Sequence, residues 1–133
     1  MFYPIFVMVI LTFIVGLVAM VTRFNSLRQG RVRMRYFKLM NGQDIPEQIT
    51  ITTRCFNNMF EVPVLFYSAC VLCISLGLEN SHSIVFSWLF VGFRCLQALI
   101  HLTGNSLLLR MGAFWMSFVS VLLLWITLFL NQL

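Results

Sequence analysis

Three polar residues at helical spacing, Arg54, Asn58 and Glu61, lie inside a stretch of the chain that is otherwise apolar. On an α-helix, positions i, i+4 and i+7 fall on one face, within roughly 60° of one another. A charged side chain inside a membrane helix costs about 2.5–3.5 kcal/mol on insertion scales, so such residues face protein or water and mark functional sites. The stretch therefore predicts one polar stripe with a functional role.

A second polar stripe follows later in the chain, where Arg94, Gln97 and His101 stand at i, i+3 and i+7. Arg110 comes at the start of the last apolar run. At about 1.5 Å of helix rise per residue, Glu61 and Arg94 reach comparable depth in a bilayer. Because buried opposite charges need partners, we predict an ion pair between them.

The other members of the two stripes, together with Arg110, predict a polar funnel that opens to the cytoplasm. Its residues are Arg54, Asn58, Gln97, His101 and Arg110. An excess of positive charge beside apolar walls suits an anionic, hydrogen-bonding molecule next to a lipophilic one. A purely structural polar network fits the same residues equally well.

The composition predicts how these residues are positioned. Of the 133 residues, 60% are hydrophobic and 10% are charged, against about 45–50% and about 25% in soluble domains. We predict an all-α, single-domain integral membrane protein over residues 1–133, with a kink at Pro63 in its second span. The predicted spans cover about residues 3–24, 52–77, 84–103 and 109–131.

The net charge of +5 is concentrated in one loop, at about residues 25–51. All of the nine Lys and Arg residues except Arg94 and Arg110 lie between Arg23 and Arg54. Positive residues beside short loops are retained in the cytoplasm, so we predict a cytoplasmic loop and two non-cytoplasmic termini. Such a loop also attracts anionic membrane lipid. It has no nucleic-acid recognition motif, which argues against a nucleic-acid partner.

Within this loop, Asn41-Gly42 and Pro46 predict turns that end a helical extension out of the membrane. The arginines of the loop are explained by membrane orientation alone. A sharper interpretation is that Arg33 or Arg35 reaches an anionic ligand at the membrane surface.

The four cysteines all lie in predicted spans, where neither a disulfide framework nor a zinc site is favoured. They are Cys55, Cys70, Cys73 and Cys95. Cys70 and Cys73 form a CxxC among aliphatic residues, which indicates packing. We predict no metal site.

The polar pattern resembles the MAPEG family, the membrane-associated proteins of eicosanoid and glutathione metabolism. The resemblance is carried by Arg54-x-x-x-Asn58-x-x-Glu61 followed by Pro63, and by Arg94 with His101 and Arg110 seven and sixteen residues later. Two further stretches, Asn-x-Phe-Glu-x-Pro-Val-Leu-Phe-Tyr and Ile-His-x-Thr-x-Asn, are similar to the small bacterial members. The resemblance implies a MAPEG-like four-helix bundle that forms a homotrimer in a bacterial inner membrane.

The resemblance further implies that glutathione binds between neighbouring subunits near the cytoplasmic face. The implied glutathione site contains Arg54, Asn58 and Glu61, with Arg33 holding carboxylates. From the second polar stripe we predict Arg94 and Gln97 as further binding residues. Arg110, with His101, is the implied catalytic pair that stabilises the thiolate. The chain departs from the eicosanoid enzymes, in which Tyr replaces His101, His replaces Gln97 and an Arg often replaces Asn57.

These residues favour a glutathione-binding membrane protein, a possible glutathione transferase or peroxidase acting on lipophilic electrophiles. The alternative is a non-enzymatic membrane module that binds lipid or a partner subunit through the same polar face. A small four-helix multidrug transporter fits less well, because such proteins tend to carry an acidic residue in the first span, which has none here.

Overall fold

The computed structural model describes residues 1–39 and 45–132, which form helices joined by short connections and contain no strand. In chain order these are α1 (Phe2–Arg28), α2 (Met34–Leu39), α3 (Glu47–Asn57), α4 (Val62–Ser75), α5 (Ser81–Leu102) and α6 (Leu107–Gln132). The predicted all-α class is confirmed.

Four helical segments are long and apolar enough to cross a membrane, which confirms the predicted four-span architecture. They are Phe2–Arg28, Glu47–Ser75, Ser81–Leu102 and Leu107–Gln132. Only 17% of the most apolar part of the first segment is buried inside the chain. Most of its apolar side chains therefore face outward, where lipid or another protein must cover them.

The chain has two ends in the bilayer direction, and the basic residues gather at one of them. We call this the basic end: α1 ends there at Arg28, α3 begins at Glu47 and α5 ends at Leu102. At the opposite end the terminal ammonium of Met1 pairs with Glu79 in the connection between α4 and α5, at 2.7 Å. A chain that crosses a membrane four times brings the connection from α1 to α3 and the connection from α5 to α6 to the same end.

Two helices end at glycines in the left-handed conformation, which L-residues adopt only at a cost. Gly30 follows α1 with φ 66°, and Gly77 follows α4 with φ 65°. The helical extension of α1 is therefore interrupted at Gly30, well before Asn41. The turn predicted at Asn41 lies outside the described residues.

The helix α5 begins with reciprocal hydrogen bonds between Asn80 and Ser83. The Ser83 N–H donates to Asn80 Oδ1 at 2.8 Å, and the Asn80 N–H donates to Ser83 Oγ at 3.0 Å. This capping box satisfies two of the free donors of the first turn. It fixes the start of the helix that carries three of the predicted site residues.

The second span is broken, and the break precedes the predicted kink. The helix α3 ends at Asn57, a turn follows, and α4 starts at Val62. Pro63 occupies the second position of α4, where its missing N–H would have no partner inside the helix anyway. The prediction of a kink at Pro63 within a continuous helix is therefore wrong: the helix stops and restarts.

The core lies between the helices at mid-height of the bundle. Phe66 on α4 and Phe90 on α5 are stacked, with their ring centroids 4.4 Å apart, and both are fully buried. At Gly16 of α1 the Phe56 ring of α3 approaches so closely that an added Cβ would lie 3.0 Å from Phe56 Cε2. The indole N–H of Trp125 on α6 donates to the Leu65 carbonyl at 3.1 Å. These contacts join α1 to α3, and α4 to both α5 and α6.

A small second cluster packs the basic connection against the start of α3. It consists of Val32, Tyr36 and Ile49, with Phe37 and Ile45 beside them. The connection is therefore attached to the bundle at its basic end.

Candidate functional site

Arg94 on α5 is fully buried, with 0% of its surface exposed. Its Nη1 donates to Gln97 Oε1, one turn along the same helix, at 2.8 Å. Its guanidinium carbon lies 5.4 Å from the ring centroids of both Phe90 and Phe114. Cation–π attraction to two rings stabilises the charge inside the bundle. The Nε and Nη2 atoms have no hydrogen-bond partner among the described residues, so this guanidinium can still bind an acceptor.

Arg110 on α6 is held by two side chains from the end of α5 and the turn that follows it. Its Nη1 lies 2.8 Å from Asn105 Oδ1 and 3.2 Å from His101 Nε2. A guanidinium has no lone pair and only donates. The His101 Nε2 must therefore accept, which places the proton of the neutral ring on Nδ1. The Nδ1 atom is buried and has no partner in the part of the chain that the structure describes.

Asn105, Phe90 and Phe114 are site residues that the sequence analysis missed. Asn105 has a φ of 43°, a left-handed conformation that Asn tolerates better than most residues. Its position in a Thr-Gly-Asn-Ser turn five residues before Arg110 was an available signal. The two phenylalanines gave no comparable signal, because fourteen Phe residues are spread over the chain.

The break between α3 and α4 carries the first predicted stripe. Asn58 follows α3 directly and is half-buried, while Glu61 directly precedes α4 and is exposed. Arg54, in the last turn of α3, is also exposed. The three residues therefore follow no single helical face. Irregular backbone at membrane depth is tolerated only where it is covered by protein or lines a water-filled cavity, so the break is not expected to face lipid directly.

The ion pair predicted between Glu61 and Arg94 is not formed within one chain. Both residues are described, and the one ion pair within 4.0 Å in the described ranges is that of Met1 with Glu79. Glu61 nevertheless acts electrostatically on Arg94. The break and Arg94 are at similar depths, because α3 is 11 residues long and Arg94 lies two turns before the end of α5, each about 12–16 Å from the basic end.

The predicted cationic residues converge on His101 from two helices. Both Arg110 on α6 and Arg54 on α3 act electrostatically on this ring. Arg33 is exposed in the connection between α1 and α2. The structure thus gathers Arg94 with Gln97, and Arg110 with His101, while Arg54, Asn58 and Glu61 border the same region from the broken span.

The arrangement suits a ligand with anionic groups. Unpaired donors remain on Arg94 and His101, and the negative Glu61 is available for a cation. Glutathione, with two carboxylates, one ammonium and a thiol, is compatible with this donor and acceptor set. The described residues contain no group of three or more His, Cys, Asp or Glu that could hold a metal ion. All four cysteines are free.

An apolar groove of about 610 Å³ lies beside this region, between α1 and the broken span. Phe13 and Leu17 line it from α1, and Phe56, Phe60 and Val64 from α3, the break and α4. The groove therefore reaches the break that carries Asn58 and Glu61. Met59 and Phe60 of the break line the groove, whereas Arg54, Asn58 and Glu61 are not among its described lining residues.

The fold and the site together define a class: an integral, multi-pass α-helical membrane protein with a buried arginine, Arg94, inside one of its spans. Residues 1–130 match the family model described as MAPEG family. The chain belongs to the MAPEG family, as the resemblance indicated, and thus to the membrane proteins of glutathione and eicosanoid metabolism. No curated protein and no solved structure matches it.

Proposed function

We propose that this protein binds glutathione at the basic end of the bundle and uses it as a membrane glutathione transferase or peroxidase on lipophilic electrophiles. The observation that carries the proposal is the buried Arg94 guanidinium, whose Nε and Nη2 have no partner among the described residues. It lies two turns along α5 from His101, which contacts Arg110. Family membership supports the same ligand. The apolar groove supports a lipophilic second substrate.

Each polar residue then has a distinct role. Arg54, Arg94 and Arg33 bind the carboxylates, because an arginine fork matches a carboxylate bidentately. Asn58 and Gln97 hydrogen-bond the peptide groups, and Glu61 binds the ammonium.

The pair of Arg110 and His101 acts on the sulfur. Bound glutathione supplies a thiol, which is nucleophilic only as thiolate, and a nearby guanidinium favours that form. Asn105 and His101 hold one nitrogen of Arg110, which fixes the direction of its remaining N–H groups. Donors fixed before the reaction stabilise developing negative charge without reorganisation.

We propose that the active form is a homotrimer in a bacterial inner membrane, with the basic end in the cytoplasm. Arg54 and Glu61 are exposed on the single chain, although exposed charges at membrane depth are costly. A neighbouring subunit would cover them and complete the glutathione site. Native mass spectrometry from detergent micelles tests this, since a monomer at all concentrations would contradict it.

Glutathione binding is tested by thermal unfolding of the detergent-solubilised protein. A ligand that binds only the folded state at 100 times its dissociation constant adds about 2.7 kcal/mol of stability. We expect millimolar glutathione to raise the Tm of the wild type and of Arg28→Ala, and to leave that of Arg54→Ala unchanged. Arg28 is the control because it is an exposed arginine at the end of α1. An unchanged wild-type Tm would refute the proposal.

Catalysis is tested separately with 1-chloro-2,4-dinitrobenzene and with lipid hydroperoxides. Arg110→Ala should lower kcat at saturating glutathione. Arg54→Ala should instead raise the glutathione concentration at which the rate is half-maximal. Binding without turnover on either substrate would favour the alternative, a non-enzymatic module. That alternative would also account for Glu61 and Arg94, which form no ion pair with each other within one chain, because each would pair with a residue of a partner subunit.

A further inference from the structure

A second polar site lies on the other side of His101 from Arg110. It is a cleft of about 460 Å³ at the basic end, between α1, α3 and the end of α5. Its lining contains Val18, Thr22, Glu47, Gln48, Ile51, Thr52, His101, Leu102 and Thr103. The helix α6, which carries Arg110, contributes no residue to this lining.

His101 supplies a donor to this cleft. Its Nε2 edge is turned to Arg110 on α6, so we assign the opposite edge, with the Nδ1–H, to the cleft. The side chain is only 2% exposed, and no described residue accepts a hydrogen bond from Nδ1. A buried donor without a partner is unfavourable, because it has lost its hydrogen bond to water. Arg110 and Arg54 also make this position electropositive, so an anionic acceptor is favoured there.

Other residues of the cleft supply acceptors. The exposed Glu47 brings the one carboxylate among the described lining residues. The Thr22 hydroxyl donates to the Val18 carbonyl at 2.8 Å, and the Thr52 hydroxyl donates to the Gln48 carbonyl at 2.9 Å. Each hydroxyl has therefore used its proton and offers only lone pairs to a ligand.

The donor of His101, the carboxylate of Glu47 and the apolar residues of the cleft match the chemistry of one class of ligand. The cleft lies where membrane spans begin and end, at the level of lipid headgroups. A buried donor for an anion lies behind an exposed acceptor for a cation, with Val18, Ile51 and Leu102 alongside. An aminophospholipid such as phosphatidylethanolamine presents the same order, with acyl chains, then phosphate, then a primary ammonium toward water.

We propose that this cleft is a binding site for a zwitterionic aminophospholipid, with its phosphate on the Nδ1–H of His101 and its ammonium on Glu47. The site does not depend on glutathione. By occupying one edge of His101, the lipid holds the ring with Nε2 toward Arg110. It would thus link the lipid environment to the position of that arginine.

The test is lipid binding by native mass spectrometry of the delipidated protein, with three lipids of identical acyl chains. Phosphatidylethanolamine should be retained about tenfold better than phosphatidylcholine, whose quaternary ammonium has no N–H donor, and better than anionic phosphatidylglycerol. Glu47→Gln should reduce phosphatidylethanolamine retention about tenfold, the effect of losing one charge-assisted hydrogen bond. Glu79→Gln, at the opposite end of the bundle, should not change it.

Two competition experiments distinguish binding of the whole lipid from binding of a free headgroup or of glutathione. Free phosphoethanolamine at millimolar concentration should displace the lipid only weakly, because it lacks the acyl chains. Glutathione should leave retention unchanged, and displacement by glutathione would assign the cleft to the glutathione site and overturn the proposal. Equal retention of the three lipids by the wild type, or no effect of Glu47→Gln, would also overturn it. Loss of glutathione binding alone would refute the proposed function and leave this inference standing.

Discussion

At the level of single residues, Arg94 is a buried cation held without a carboxylate. Two phenyl rings and one amide oxygen contact its guanidinium. The sequence predicted that Arg94 is buried and functional, because a charged side chain inside a membrane span is costly and such residues face protein or water. It did not predict Phe90 and Phe114, because their contact depends on how α5 and α6 rotate against each other. Spacing along one helix contains no information on that rotation.

We expect Arg94→Lys to lower the free energy of unfolding by about 1–2 kcal/mol, although the charge is kept. A lysine ammonium is compact and strongly hydrated, and it cannot stack its flat face between two rings. The measurement is the Tm in detergent by circular dichroism.

Arg28→Lys is the matched control for that substitution, because Arg28 is exposed at the end of α1. Its Tm should stay within the error of the wild type. Equal effects of the two substitutions would contradict the role of the rings.

Asn105 combines a strained backbone with a hydrogen bond to Arg110, and two substitutions separate these roles. Asn105→Gly keeps the left-handed conformation and removes the amide, whereas Asn105→Ala loses both. A left-handed conformation costs a residue with a Cβ about 1–2 kcal/mol. We expect Asn105→Ala to lower the Tm more than Asn105→Gly does.

Both Asn105 substitutions should reduce the glutathione-dependent Tm shift equally, because both release Arg110. A glycine variant with the full wild-type shift would show that the amide does not position Arg110 for the ligand.

At the level of the helices, the broken second span differs most from expectation. The polar residues of this stretch were predicted from spacing, but a spacing argument assumes a continuous helix. The chain instead forms turns, with the Met59 N–H on the Phe56 carbonyl at 3.0 Å and the Phe60 N–H on the Asn57 carbonyl at 2.9 Å. Proline disfavours a helical conformation mainly in the residue before it. The exact residue at which α3 stops is therefore set by tertiary packing.

Proline substitutions distinguish a helix start from a helix interior. Pro63→Ala should cost less than about 1.5 kcal/mol, since only packing of a buried ring is lost at a position that needs no N–H. Ser68→Pro, in the middle of α4, should cost about 3 kcal/mol. Thermal unfolding measures both. A Pro63→Ala variant as unstable as Ser68→Pro would indicate that Pro63 maintains the break.

Helix packing at Gly16 gives a second prediction at this scale. Gly92→Ala and Gly112→Ala should each raise stability by about 0.5–1 kcal/mol, because alanine favours a helix and nothing lies within 4 Å of the added atom. At Gly16 the same gain is offset by the contact of 3.0 Å with the Phe56 ring. Gly16→Ala should therefore be neutral or destabilising, and a gain equal to that at Gly92 would argue against close packing of α1 on α3.

At the level of the whole molecule, four spans and the basic loop predict the orientation in the membrane. On intact cells, a membrane-impermeant maleimide should label Ser81→Cys, which lies at the start of α5. It should label Gln29→Cys, at the basic end, only after lysis. Both positions are exposed, whereas three of the four native cysteines are buried. The reverse pattern would place the basic end outside the cell and contradict a cytoplasmic glutathione site.

The sequence was sufficient for the architecture and for part of the site. Apolar runs of membrane-spanning length predicted the number of spans, because the bilayer imposes that length. It placed Arg94 with Gln97 and His101 on one helix correctly, since three to four residues make one turn. It did not predict that Asn105 and His101 both contact Arg110 Nη1. Asn105 lies in a turn, where helical periodicity does not indicate which way a side chain points. The proposed trimer, which would cover Glu61 and Arg54, involves several chains and cannot be derived from the periodicity of one.

The break between α3 and α4 has a consequence for how this chain tolerates changes in length. In an unbroken helix, one inserted residue turns everything beyond it by about 100° and shifts it by about 1.5 Å. Here the turn between Asn57 and Val62 can absorb an extra residue, while α3 keeps its contacts with α1 and α4 keeps its stacking on Phe90. Insertions in this turn should be far milder than insertions in α5, where the angular register joins Arg94 to His101.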